Sequence, residues 1–351
     1  MCMSNTRVKF GSPLPTFNQL KKEIPLSESL KEQILRQRRE VEDVLDGKDI
    51  RKILIIGPCS IHNVKEALEY AKLLADWASR HPEVIVLMRV CCDKPRTKKD
   101  WRGLFNDPKL DGSHDLALGL RMSRKLMVDI ATLGLGIATE ALSPNNFHVI
   151  SDIVVYAWVG ARTGNSPDIR EMTSGLSMPV GIKNPNDSTN LSNAIHAIDF
   201  ARHPSVFSNP NDDGVMSIVE TSGNQYSHMI LRGNSSGPNY DIINQEGVVS
   251  AMKKANLNPR FIVDTSHGNC NKQYEKQKDV LAELALVHNQ YLVGIMVESY
   301  LEADKQDSSK LGTPEGPTSL KPNQSVTDGC LSWKETEVAL DRFIVECKEA
   351  A

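Results

Sequence analysis

No stretch of this chain is apolar for long enough to cross a membrane as a helix. Its longest apolar runs are strand-sized, against the roughly 18 residues that a span needs, so no membrane attachment is expected. There is no excess of positive charge either. The 41 Lys and Arg residues face 44 Asp and Glu, a formal net charge of −3. Bulk nucleic-acid binding is therefore not expected, and any anionic ligand must be held by locally placed cations. A disulfide framework is also missing. The cysteines (Cys2, Cys59, Cys91, Cys92, Cys270, Cys330 and Cys347) are odd in number and scattered, as in a reduced cytoplasmic protein. The opening MCMSNTRVKFGSPLP has no apolar core of a secretory leader, so a cytoplasmic location is expected. Internal repeats and low-complexity tracts are lacking as well.

What is present is a soluble globular composition, 40% hydrophobic and 24% charged over 351 residues, enough for one large α/β domain or two ordinary ones. After residue 50 a pattern recurs: a short β-branched run, a polar or glycine-containing turn, then usually a helix-period stretch. The runs are KILIIGPC (52–59), VIVLMRV (84–90), GIATEAL (136–142), IVVYAWVGAR (153–162), PVGIKN (179–184), HMILRG (228–233), RFIVDTSH (260–267) and YLVGIMVES (291–299). In the segment after the first run, Val64, Ala67, Leu68, Ala71, Leu74, Ala75 and Ala78 lie at three-and-four spacing, one face of a helix. Similar helical segments are expected at about 115–134, 187–201, 242–256, 271–289 and 333–347. Continuously apolar strands are covered on both faces, as in a parallel sheet. Eight of them with helical crossovers predict a (β/α)8 barrel over 51–351; on periodicity alone a doubly wound open sheet competes. Residues 1–50 lie outside the repeat and are read as an N-terminal extension, a strand near RVKFGSPLPT plus a polar helix at 27–45, placed at a subunit interface. An inserted β-hairpin is expected near 205–227, and a long loop at 312–317 after the eighth strand.

In such a barrel the active site forms at the carboxyl ends of the strands. There the runs deliver Cys59, Arg89 with Lys94 behind it, Glu140, Arg162, Lys183, Arg232, Asp264 with His267, and Glu298, followed by Asp328 in SVTDGC. Taken singly, each has a bland reading as a solvated loop residue or a satisfied core group; their shared location is what weakens it. Cys59, His267, Glu298 and Asp328 combine soft, borderline and hard donors, which suits a divalent transition ion such as Mn, Fe, Co or Zn and suits Mg or Ca poorly. Arg89, Lys94, Arg162, Lys183 and Arg232 would repel one another unless a highly charged anion joined them, and phosphate and carboxylate fit. Arg96 and Thr97 of KPRT could hold a second phosphate. Two anionic substrates and one metal point to a condensation.

GPCSIH (57–62), DKPRT (93–97), WRGLFNDPKLDGS (101–113), GARTGNSPDIRE (160–171), SGLSMPVGIKN (174–184), DTSHGN (264–269), VESYL (297–301) and SVTDGCLSW (325–333) resemble the class I 3-deoxy-D-arabino-heptulosonate 7-phosphate (DAHP) synthases of the aromatic-amino-acid-regulated type. The resemblance runs in order from about residue 8 to the C-terminus. It implies a (β/α)8 barrel with an N-terminal extension and an inserted β pair. It also implies condensation of phosphoenolpyruvate with erythrose 4-phosphate, the first step of the shikimate pathway. It assigns Cys59, His267, Glu298 and Asp328 to the metal, Arg89, Lys94 and Lys183 to the phosphoenolpyruvate carboxylate, and Arg162 and Arg232 to its phosphate. Arg96 and Thr97 go to the acceptor's phosphate, and Glu140 to the substrate site. Lys94 would pass a proton to the developing alkoxide, and Cys59 and His267 act through the metal. In regulated relatives an aromatic amino acid binds between the hairpin and the helix containing SGLS; Leu176, Ser177, Phe147 and His148 would meet it. A homodimer or homotetramer is expected.

The chain departs from the family pattern at Cys91-Cys92-Asp93, at IAT before Glu140, at KNPND (183–187) and at FSNPNDDGVM (207–216). Such departures suit a specialised-pathway paralogue that condenses phosphoenolpyruvate with a different aldose phosphate. A 3-deoxy-octulosonate 8-phosphate synthase is the nearest enzymatic rival, opposed by the cysteine of GPCSIH and by KPRT. A non-catalytic, effector-binding paralogue is the reading from another class.

Overall fold

A computed structural model describes residues 4–96 and 100–349. The strands, in chain order, are β1 (Lys52–Gly57), β2 (Val84–Arg89), β3 (Gly136–Glu140), β4 (Val154–Val159), β5 (Val180–Lys183), β6 (Val206–Pro210), β7 (Met216–Glu220), β8 (Ser227–Leu231), β9 (Phe261–Asp264), β10 (Leu292–Tyr300) and β11 (Leu331–Ser332). Among the described residues, eight parallel strands run in the order β1-β2-β3-β4-β5-β8-β9-β10, and β10 pairs back to β1. The ring is a (β/α)8 barrel, and the open-sheet alternative is excluded because no free edge remains at β1 or β10. Every residue of β4, β5, β8, β9 and β10 is buried, as expected of strands covered by side chains inside and helices outside. β6 and β7 form the expected antiparallel hairpin, Val206 opposite Glu220 and Pro210 opposite Met216.

The crossover helices follow the apolar spacing. Val64–Arg80 starts at Asn63, whose side chain accepts from the backbone N–H of Lys65 and Glu66, and it buries Ala67, Tyr70, Ala71, Leu74 and Trp77. Leu116–Thr132, Ile242–Lys254 and Trp333–Glu349 lie where expected. Two expected helices are shorter. The segment at 187–201 is helical only from Ser192 to Ala201, since its polar, turn-forming start follows Pro185. The segment at 271–289 is a 3-10 turn followed by Gln277–Ala285. Helices Phe17–Glu23 and Pro144–His148, of 7 and 5 residues, were not anticipated, and Pro167–Ser174, of 8, was expected only through the resemblance, as a helix containing SGLS; all three are too short to show a period. Within the loop expected at 312–317, a single helical turn begins at Gly316.

The N-terminal extension differs most from its expectation. Among the described residues, 4–16 belong to no strand, so the expected strand is not formed there. The helix Glu28–Asp46 is capped by Ser27 and closed by Gly47 in the left-handed conformation. It buries Leu30, Ile34, Val41, Val44 and Leu45 in the same core as the barrel strands. Gln33 and Gln37 donate to the carbonyls of Ala131 and Gly134 just before β3, and Arg38 donates to those of Ser151 and Val154 at the start of β4. The helix therefore closes the barrel at the strands' amino ends, opposite the rim where the site lies. Truncating Leu45, which is fully buried, to alanine is expected to cost about 2–5 kcal/mol, read as a lower denaturant midpoint with an unchanged slope.

Candidate active site

Strand register brings the distant residues together. Gly57 pairs with Glu298 across the closing seam, and two residues further on Cys59 leaves the strand beside that carboxylate. Gly57 has φ +149°, and an added Cβ there would lie 3.0 Å from the Arg89 carbonyl oxygen, so the turn that aims Cys59 inward needs glycine. Arg89, Glu140, Lys183 and Asp264 are the last residues of their strands. Arg162 follows β4, Arg232 follows β8 directly, and β11 pairs beside the end of β10, which draws Asp328 to the same rim.

The donor atoms of Cys59, Glu298 and Asp328 all lie within 4.8 Å of one another, with Cys59 Sγ 3.7 Å from Asp328 Oδ2. His267 stands slightly apart, its Nε2 3.9 Å from Glu298 Oε1. Its Nδ1 lies 3.0 Å from Asp264 Oδ2 and 2.6 Å from Ser266 Oγ, so Nε2 is the nitrogen turned to the cluster. Burial, and next the Glu298 charge, pushes the Cys59 thiol up to about 12. Asp328 is exposed as a residue, but its carboxylate end is partly desolvated, which acts against its charge; Lys94 and His267 nonetheless hold it below its ordinary value. Two carboxylates and a thiol so close repel as anions, and a divalent cation between them relieves that. The donor set fits a divalent transition ion, and binding one exchanges it for the thiol proton.

A cavity of about 170 Å³ opens beside this cluster, lined by Lys94, Arg96, Arg162, Lys183 and Arg232 together with Glu140, Trp158, Asn186, His267 and Asp328. Lys94 Nζ donates to the Cys59 carbonyl at 2.9 Å and lies 3.3 Å from its Sγ. Lys183 Nζ donates to Asp264 Oδ2 at 2.7 Å. For Asp264, burial opposes charge, but Lys183 and His267 hold the carboxyl well below the usual range. Arg232 donates to Asn186 Oδ1 at 2.7 Å, and its burial lowers the guanidinium. Arg89 is 2% exposed and donates through Nη2 to Glu298 Oε1 at 2.9 Å, while its Nε and Nη1 have no hydrogen-bond partner among the described residues. Unfilled buried donors on a guanidinium are what an added carboxylate or phosphate would satisfy. Arg96 donates to the Trp101 carbonyl and stays at the cavity's edge. Thr97 lies outside the described residues.

The structure thus gathers the expected site residues, Thr97 apart, at one mouth. Two contributors, Trp158 and Asn186, were not singled out from sequence, and Asp264 was placed at the rim without a role. Trp158 lies under the Arg89 guanidinium and the Lys183 ammonium, 5.1 and 5.5 Å from them; a strand tryptophan two residues before a glycine was the only signal. Asp264 anchors both Lys183 and His267, and Asn186 holds Arg232. The four residues expected to meet an effector, Phe147, His148, Leu176 and Ser177, line a separate cavity of about 700 Å³. It lies between the helices Phe17–Glu23 and Glu28–Asp46, the segment Pro144–His148 and Asn209 of the hairpin. Leu176 and Ser177 follow the helix Pro167–Ser174 rather than belonging to it, because Gly175 ends it.

A parallel barrel whose strand ends bring a cation cluster next to thiol, imidazole and carboxylate donors is an enzyme scaffold for anionic substrates. Comparison with known proteins narrows that class. The DAHP synthetase I family matches residues 24–341. The Tyr-sensitive phospho-2-dehydro-3-deoxyheptonate aldolase of Salmonella typhimurium is 40% identical, the alignment covering 96% of this chain and 94% of the relative. The tyrosine-inhibited enzyme of Schizosaccharomyces pombe is 38% identical over 97% of this chain and 91% of its own length. A solved phospho-2-dehydro-3-deoxyheptonate aldolase from Francisella tularensis superposes with a TM-score of 0.93 at 34% identity, over 98% of this chain and 99% of that one. The chain belongs to the DAHP synthetase I family.

Asp264→Asn keeps the shape but weakens the orientation of His267. It is expected to lower Mn(II) affinity by about 10–100-fold, measured by calorimetry on protein stripped of metal.

Proposed function

We propose that this protein is a metal-dependent 3-deoxy-7-phosphoheptulonate synthase that condenses phosphoenolpyruvate with erythrose 4-phosphate, releasing DAHP and phosphate. The observation that carries this reading is the set of five cations lining one small cavity, beside a buried arginine with two unfilled donors. Arg89, Lys94 and Lys183 take the phosphoenolpyruvate carboxylate, and Arg162 and Arg232 its phosphate. Arg96, with Thr97, takes the acceptor's phosphate. These charges exist before reaction, so the cluster acts mainly by positioning. Cys59, His267, Glu298 and Asp328 would hold the ion, which would supply Lewis-acid polarisation of the aldehyde. Carbon 3 of the enol phosphate then attacks the aldehyde carbon, and Lys94 delivers a proton to the developing alkoxide. Water adds at carbon 2, and phosphate leaves from that centre. Trp158 supports the two buried cations from beneath, and Asp264 keeps Lys183 directed toward the substrate.

The larger cavity takes an aromatic amino acid as a feedback effector. Its geometry and the sensitivity of relatives support this: enzymes 40% identical are named Tyr-sensitive in Salmonella typhimurium and Trp-sensitive in Enterobacter agglomerans. A cytoplasmic homodimer or homotetramer is the assembly we propose. The exposed apolar residues Val8, Phe10 and Leu14, ahead of the helix Phe17–Glu23, favour it, and light scattering decides it. No helix among the described residues is long and apolar enough to cross a membrane.

Loss of phosphoenolpyruvate absorbance should require erythrose 4-phosphate and should stop when a chelator strips the ion. An undiminished rate under chelation would overturn the metal assignment; consumption with a five-carbon but not a four-carbon aldose phosphate would overturn the acceptor. Arg232→Ala is expected to raise the KM for phosphoenolpyruvate by about 10–100-fold, since a charged phosphate contact contributes about 1.5–3 kcal/mol, with a smaller effect on the KM for the acceptor. Inhibition by phenylalanine, tyrosine or tryptophan, relieved by Ser177→Phe, is the expected sign of the effector site.

A further inference from the structure

Between the two cavities runs a short set of hydrogen bonds that neither wall requires for itself. The one-turn helix Pro144–His148 contributes Phe147 and His148 to the larger cavity. Its Asn146 reaches elsewhere: the side-chain amide donates to Asp93 Oδ2 at 2.9 Å. Asp93 is 6% exposed. Its Oδ1 accepts from the Asn106 amide at 2.9 Å and from the backbone N–H of Lys94 at 3.1 Å. That same Lys94 lines the smaller cavity and reaches Cys59. A buried carboxylate next to Lys94 is therefore held from two sides by neutral amides, one of them borne by the larger cavity's wall.

The wall is a short element. The helix has a single turn, and the side chain of Ser143 at its start makes no capping bond. Its last residue faces the hairpin, with His148 Nε2 3.0 Å from Asp212 Oδ1, and Asp212 pairs with Lys21 at 3.0 Å. A molecule bound against Phe147 and His148 would bear directly on the turn that carries Asn146. Loss of the Asn146–Asp93 bond, made in this structure, would supply the two-state element that coupling between sites requires.

We propose that Asn146, through its hydrogen bond to Asp93, transmits occupancy of the larger cavity to Lys94 and so couples effector binding to phosphoenolpyruvate binding. This rests on the effector reading above. Asn146 is a positioning residue in this scheme and touches neither substrate nor effector. Coupling of this kind is typically about 5–150-fold, and it is reciprocal: phosphoenolpyruvate should weaken effector binding by the factor by which the effector weakens phosphoenolpyruvate binding.

The test uses the metal-loaded full chain, with calorimetric titration of phenylalanine, tyrosine and tryptophan in the absence and presence of phosphoenolpyruvate, and with KM and kcat measured with and without the amino acid that binds. In Asn146→Ala, and in the size-matched Asn146→Leu if the first variant unfolds, the amino acid should bind within about threefold of the unmodified protein while the coupling factor falls toward one. Asn106→Ala removes the other amide on Asp93 without touching the effector cavity. It should lower kcat/KM while keeping the coupling factor within about threefold. Coupling in the Asn146 variants as strong as in the unmodified protein overturns the proposal. If none of the three amino acids binds the unmodified protein, the effector reading itself fails, and the coupling falls with it.

Discussion

The pairing of β10 with β1 is the constraint on which the rest depends. It puts Gly57 opposite Glu298, and so sets Cys59 beside a carboxylate contributed from near the other end of the chain. Closing the ring also leaves no exposed sheet edge at that seam. It turns eight strand ends toward one mouth, where inward-facing residues are excluded from water. The helix Glu28–Asp46 seals the opposite end, which fixes which end is open to ligands.

At that mouth, charge is arranged in opposed pairs that are each incomplete. Arg89 faces Glu298, and Lys183 faces Asp264, both pairs almost wholly buried. Desolvation of such pairs consumes much of their mutual attraction, so the arrangement adds little to stability by itself. Its value is orientation: the unfilled donors of Arg89 and the cations around the cavity are preset for anions, while the thiol and carboxylates are preset for a cation. Substrate and ion each neutralise what the protein alone leaves unbalanced.

Much of this was legible in the sequence. The eight strand runs coincide with the barrel strands to within a few residues, because continuously apolar β-branched runs have few alternatives. The residues ending those runs are the residues at the mouth, because a parallel barrel sends every strand's carboxyl end the same way. What could not be read was of two kinds. The short helices at Phe17, Pro144 and Pro167 lack enough turns for a period, and the segment 7–16 carries strand-like residues but belongs to no strand among the described residues. Trp158, Asp264 and Asn186 act on neighbours from other strands, and local pattern gives no sign of such contacts.

The sequence by itself determined the kind of fold, the rim residues and, by resemblance to the family, the chemistry, since these follow from local apolar period and from motifs whose order is kept along the chain. Tertiary structure alone decided that His267 stands off from Cys59 and Asp328 with its Nδ1 held by Asp264, that Arg89 keeps two open donors, and that Asn146 links one cavity wall to the residue before Lys94. Those are distances between side chains on separate elements. They are set by how the closed ring packs, and no pattern along a single stretch of chain encodes them.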